Sequence, residues 1–395
     1  MKSNMYIEKC RKIFEQACTY ISGLLSKKAT VKIGGRKQTL HPFKIAVSTI
    51  AVIVVLSLIL SVVSLFGGHK TLNVTFEGGN EYKTKPFKDN VIMYNNRGVW
   101  AINSNGETEW EIKETLSEPI VEAKGSYILL ADLAGKHFAA IYKNGKPYRE
   151  IKTENDIISA KVTGRGYSVF ATDTDGYKGK VAVYNRHGNQ IYEWYSGSGY
   201  ITDVELTENG RYLAVAQLIS DGEVANTKVQ FIDTRHDRVV ATAERTGEIA
   251  VCLKAVARDR LVVVTDKGIS GYNMQGKEKF HISLIGKSPT LYNLDGDNTI
   301  GVVTQGGRGN SVLELYSTTG KLRGAYTATG DIRALSVRGK GAVVAQQKGL
   351  TRISSRGKEK KIISISHDIK SIGCFDGNKK VLAIGSGEAE VIKIK

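Results

Sequence analysis

The chain has 395 residues, a formal net charge of +17, 42 glycines and only 5 prolines. That length holds one large or two ordinary domains, and the glycine-rich, proline-poor composition fits strands and turns better than disorder. The four cysteines, Cys10, Cys18, Cys252 and Cys374, include no CxxC pair, which argues against a zinc ribbon, a thioredoxin-type site or a disulfide scaffold.

In chain order, the first predicted element is a helix. Apolar residues at 6, 7, 10, 13, 14, 17, 18, 21, 24 and 25 form one stripe, with charges opposite. Such a helix either lies on anionic lipid, docks a partner, or packs on itself or a second copy. Cys10 and Cys18 fall on or near the stripe, as packing residues. VKIGGRKQTL then reads as a small hairpin around Gly34–Gly35.

Ile45 to Phe66 is a run of 22 residues without a charge. At 1.5 Å per residue a helix of this length crosses a bilayer core of roughly 30 Å. Residues 1–44 hold ten Lys/Arg against only Glu8 and Glu15, so they are expected in the cytoplasm and everything after Gly67 outside the plasma membrane.

Past residue 80 one pattern recurs. The hairpins AINSNGETEWEI, IYKNGKPYREI, VYNRHGNQIYEW, GYNMQGKEKFHI, LYSTTGKLRGAY and RISSRGKEKKII can be laid over one another. Apolar strands such as YILLAD, YLAVAQL, RLVVVTD and KVLAIGS precede them at a period of roughly 40 residues, four strands per unit. The pattern predicts an all-β propeller. Seven units are complete between residue 81 and about 365. Three strands remain and the chain stops, so an eighth blade would lack its outer strand. The unassigned TLNVTF, 71–76, is predicted to fill that place, because an incomplete ring leaves open sheet edges. Seven blades with a loose terminus is the alternative. The expected domains are thus a cytoplasmic tail (1–44), a transmembrane helix (45–66) and a propeller (71–395).

The cadence of ITDVELTENGRYLAVAQL resembles WD-repeat propellers, although the GH…WD signature is missing. AINSNGETEWEI and VYNRHGNQIYEW resemble quinoprotein-like propellers, with Trp110 and Trp194 at the tryptophan position. Basic tail, single span and propeller together resemble an uncharacterised family of membrane-anchored propellers in Gram-positive bacteria. That resemblance implies a fold and a location, and no activity.

In a propeller of this kind, turns after strands one and three share one face, here the bottom; those after two and four share the top. TLNVTF follows the span after four residues, so the bottom is expected against the bilayer. By the sequence reading, the bottom turns carry about 23 basic and about 11 acidic residues, the top about 12 and about 17. The residues expected to face anionic lipid are Lys277, Lys279, Lys321, Arg323, Arg356, Lys358, Lys360 and Lys361.

No HExxH, GxSxG or phosphate-loop motif occurs. DTDG (173–176) and DGDN (295–298) read as turn chemistry rather than calcium loops, since neither continues to a distal glutamate. No catalytic residue, metal or cofactor is assigned. The reading is a non-enzymatic binding or scaffold propeller, recruiting an envelope protein or cell-wall polymer through the top loops that carry Asp173, Asp175, Tyr177, Asp221 and Glu223. The alternative is a quinoprotein-like dehydrogenase or a lyase. An enzyme would show clustered polar groups with perturbed titration at the central channel, and a featureless channel would argue against it. Nucleic acid is not an expected partner, because the propeller is expected outside the cell.

Overall fold

The computed structural model describes residues 30–33, 36–39, 70–71 and 81–394, except 134–137, 223, 258–259, 297, 348 and 366. The amphipathic segment and the 45–66 run lie outside these residues. Among the described residues no helix is long and apolar enough to cross a membrane. Two compact units divide at residue 68. In the first, Thr30–Ile33 pairs antiparallel with Arg36–Thr39, the hairpin that the sequence indicates.

The second unit is eight four-stranded antiparallel sheets in chain order. Blades one to seven run from Lys83 to Ser364, each with its inner strand first in sequence. Blade eight takes three strands from the C-terminus: Ser371–Cys374, Lys380–Ile384 and Ala389–Lys393. Its fourth is Lys70–Thr71, with Lys70 opposite Val391 and Thr71 opposite Glu390. An N-terminal strand therefore closes blade eight as a clasp at Lys70–Thr71, of which Thr71 falls within the predicted 71–76; 69 and 72–80 lie outside the described residues. Its antiparallel pairing brings the chain in from the bottom face, as expected.

Burial explains the strand sequences. Each blade is covered on both faces by its neighbours, so second strands are continuous apolar runs rather than alternating ones. Tyr127–Asp132 is buried at every position. Outer strands such as Thr108–Lys113 show mostly exposed side chains. The core clusters lie between blades: Tyr127, Leu129 and Ile141 of blade two pack with Ile157, Val162 and Phe170 of blade three. The ring closes the same way, with Val91, Met93 and Ile102 of blade one against Phe375, Leu382 and Ile384 of blade eight. Each fully buried aliphatic side chain contributes about 1.5–3 kcal/mol.

The repeated hairpin has a structural reason. Its turn residue packs against an outer-strand residue of the blade before it. A Cβ on Gly145 would overlap the Trp110 ring, one on Gly188 the Arg149 side chain, one on Gly276 the Ala241 methyl, and one on Gly320 the Phe280 ring. In blade four the turn residue is Asp237, which accepts a 2.9 Å hydrogen bond from Tyr192 Oη. Each partner stands four residues after its own blade's turn residue. By this register Trp110 occupies the joint, whereas in blade three it is Tyr192 and not Trp194. Trp194 packs into the adjacent core instead.

Candidate functional site

Inner strands line the propeller axis, and most of their side chains are apolar or small. Six charged ones stand out: Lys85, Glu122, Lys161, Asp203, Lys254 and Asp295, from blades one to six in order. They converge. Glu122 lies 3.1 Å from Lys161 Nζ, 3.5 Å from Lys254 Nζ and 3.8 Å from Lys85 Nζ. Asp295 lies 3.9 Å from both Lys85 and Lys254. Asp203 lies 3.7 Å from Lys161, and accepts hydrogen bonds from Ser159 Oγ at 2.6 Å and Leu253 N at 2.7 Å. Three cations meet three carboxylates in one network across the channel.

The network favours charge. Burial alone would raise the Glu122 carboxyl, but Lys161, Lys254 and Lys85 outweigh it and hold it well below the usual carboxylate range. Glu122 and Asp295 raise Lys85, and Glu122 likewise raises Lys254. Lys161 is raised too, its two carboxylates overcoming desolvation. Asp203 moves the other way, upward, through burial. Burial also pushes the Cys252 thiol up to about 12. A general base or nucleophile needs a group poised near the working pH. Here the lysines are locked as ammonium, Glu122 as a weakly basic carboxylate and Cys252 as a thiol. The network opens on the bottom face into a basin of about 490 Å³, walled by Lys88, Lys124, Glu208 and Arg338. Across its mouth, Arg338 Nη2 of blade seven donates to the Lys88 carbonyl of blade one.

The top face differs. Tyr177, on the loop between strands two and three of blade three, is 52% exposed; Tyr200, at the start of blade four, is 60% exposed. Tyr177 packs on Tyr195 with ring centroids 4.8 Å apart. Lys178 Nζ sits 4.6 Å over the Tyr200 ring and donates to its hydroxyl at 3.0 Å. Lys180 pairs with Glu193 at 2.8 Å, and Glu193 also accepts from Tyr195 Oη at 2.7 Å. These three tyrosines form an exposed, internally braced aromatic patch.

A family model described as "Family of unknown function (DUF5711)" matches residues 69–394. The chain belongs to this family. No curated protein matches. Among solved structures, the C-terminal WD40 domain of Sif2 is similar at a TM-score of 0.58 and 13% identity, covering 83% of this chain and 98% of that one. The β-propeller domain of Cps50 (Swd1) from Myceliophteria thermophila matches at 0.48 and 11%, covering 83% of this chain and 100% of that one. BamB from Moraxella catarrhalis matches at 0.48 and 13%, covering 82% and 98%. At such identity the Sif2 likeness shows the propeller fold alone.

In this DUF5711 chain the sequence-assigned residues divide between turns and strands. Lys277, Lys321, Arg356 and Lys358 occupy bottom turns, and Lys279, Lys360 and Lys361 the adjoining outer strands, all exposed. Arg323 is half-buried, its Nη1 donating to Thr299 Oγ1 at 2.7 Å, so it serves the blade interior. Asp173 and Asp175 are exposed beside Tyr177. Asp221 ends the ten-residue strand Tyr212–Asp221, and Glu223 lies outside the described residues. The DGDN aspartate Asp295 is not a turn residue but part of the channel network. The network itself is not evident from any motif, although its signal is visible: a charge inside each otherwise uncharged stretch of PIVEA, ISAKV, ITDV and VCLKAV.

Proposed function

We propose that this protein is a non-enzymatic binding scaffold, anchored by residues 45–66 in the plasma membrane, with the propeller outside and the 1–44 tail in the cytoplasm. Its basic bottom face, with Lys277, Lys321, Arg356 and Lys358, rests against anionic lipid. Its top face recruits an envelope protein or cell-wall polymer. The observation that carries the partner-binding reading is the tyrosine patch of Tyr177, Tyr195 and Tyr200. Exposed tyrosines supply large contact area at low entropic cost and are enriched at interfaces. The loop bearing Asp173, Asp175 and Tyr177 is one of the two that the sequence reading assigns to a partner, the other carrying Asp221 and Glu223.

An enzyme acting at the channel is the second reading, and the clustered charges there are the sign it requires. The direction of the shifts at Glu122 and the three lysines weighs against it, because paired ions that favour their charged forms are a structural device first; Asp203 alone moves the other way. The test is in-cell photocrosslinking from position 177, followed by mass spectrometry of the adduct. An envelope component is the expected product. No adduct, together with turnover of a small molecule that Lys161→Met abolishes in a folded protein, would reverse the ranking.

A further inference from the structure

Between blades two, three and four the bottom face holds a second cavity, of about 520 Å³, that no sequence feature singled out. It is lined by Lys143, Arg165 and Arg186, with Ser126, Tyr127, Tyr167 and Asn209, and by no acidic side chain. Among the described residues none of the three cations is in an ion pair. The nearest wall toward the central basin carries Glu208, close to Gly164. That carboxylate is engaged by Lys124 at 3.3 Å.

The turns that bear the cations are held in place. Tyr148 Oη donates to the Arg186 carbonyl at 2.9 Å, and Arg149 Nη1 donates to the adjacent Asn185 carbonyl at 2.7 Å. Gly166, beside Arg165, takes φ +82° and lies so close to the Tyr127 ring that a Cβ would touch it. Lys143 Nζ sits 5.4 Å over that same ring. Arg186 spends one donor on His187 Nε2 and keeps the rest of its guanidinium. Asn209 Oδ1 is occupied by Thr207 Oγ1 and Arg211 N, which leaves its amide nitrogen as a donor. Three like charges brought together without a counter-charge cost stability unless an anion offsets them.

We propose that this cavity is a phosphate site, taking a phosphate mono- or diester through Arg165, Arg186 and Lys143. Two guanidinium forks and one ammonium match the several oxygens and the charge of phosphate better than a single carboxylate. The group could come from a lipid headgroup or from a free or polymer-borne phosphate. The site stands on its own geometry; only the lipid source leans on the membrane-facing reading above.

The test is calorimetric titration of the full chain in zwitterionic micelles, with inorganic phosphate in one arm and mixed micelles containing phosphatidylglycerol in the other. Saturable binding of phosphate, weakened at least about tenfold in R165Q/R186Q, supports the site with a free source. Binding confined to phosphatidylglycerol, persisting at about 0.5 M salt where diffuse attraction is screened and lost in the same variant, supports it with a lipid source. K340Q/K379Q, exposed on bottom turns of blades seven and eight and outside this cavity, should leave the phosphate titration unchanged. If R165Q/R186Q does not fold, K143Q carries the test, with a several-fold loss expected. Neither probe binding, unchanged affinity in R165Q/R186Q and K143Q, or an equal loss of phosphate binding in K340Q/K379Q overturns the proposal.

Discussion

Glu122 is the residue on which the channel depends. Replacing it with glutamine removes the carboxylate that all three ammonium groups share and leaves them Asp203 and Asp295, with the buried Glu205 nearby. Breaking a buried pair from one side costs about 3–5 kcal/mol, so Glu122→Gln should lower the urea unfolding free energy by that amount. Asp203→Asn should cost less, since burial already penalises that charge. The pH dependence follows with opposite signs. Glu122, held low in the folded state, contributes stability that is present above its unfolded value near 4.3 and is lost as pH falls below it. Asp203, held high, is a cost at neutral pH that is relieved as pH falls. Lys85, Lys161 and Lys254, held high, stabilise fully below about 10.4 and lose this above it. Thermal melts from pH 7 to 3 should therefore decline below about pH 4.5 in the wild type, and more gently in Glu122→Gln. A steeper decline in the variant would contradict the network. At the top patch, Tyr200→Ala should change stability by no more than about 0.5 kcal/mol while reducing partner capture.

The element that repeats is the joint between blades. Gly357, at φ +73°, sits against the Ala325 backbone, and Gly320, at φ +82°, against the Phe280 ring. A ring can swing aside and a backbone cannot. Gly357→Ala should thus be more destabilising than Gly320→Ala, both paying about 1–2 kcal/mol for the left-handed conformation; urea midpoints decide this. The period-40 pattern, the second strands and these turns were legible because they are local: every blade spells them in contiguous residues. What joins the blades was not, since the joint residue is variously Trp110, Arg149, Tyr192, Ala241 and Phe280, and only its position is constant. The channel charges share this fate. Lys85 and Asp295 are more than two hundred residues apart and meet only when the ring closes. The phosphate cavity draws on turns of three blades, whose basic residues look in sequence like ordinary solvated turns. The clasp, by contrast, could be found by counting strands. Replacing 70–76 with a Gly/Ser linker of equal length should strip amide-exchange protection from Ala389–Lys393 while blades two to five keep theirs.

On the whole molecule, the described turns retain the predicted polarity. Bottom turns carry eleven Lys/Arg and five Asp/Glu, top turns seven and eleven. This is smaller than the sequence reading because many of the charges assigned to turns belong to strand ends, where they point sideways from the outer strands. An electrostatic bottom face and an aromatic, acidic-rimmed top face are the two surfaces on which the proposed scaffold would work. They are distinguished most directly by site-specific photocrosslinking in intact cells, with the probe at position 177 in one strain and at 358 in another. The account predicts an envelope protein or wall-polymer adduct from 177, absent from 358. Adducts of that kind from 358 alone, or none from 177 while the purified chain consumes a small molecule, would contradict it.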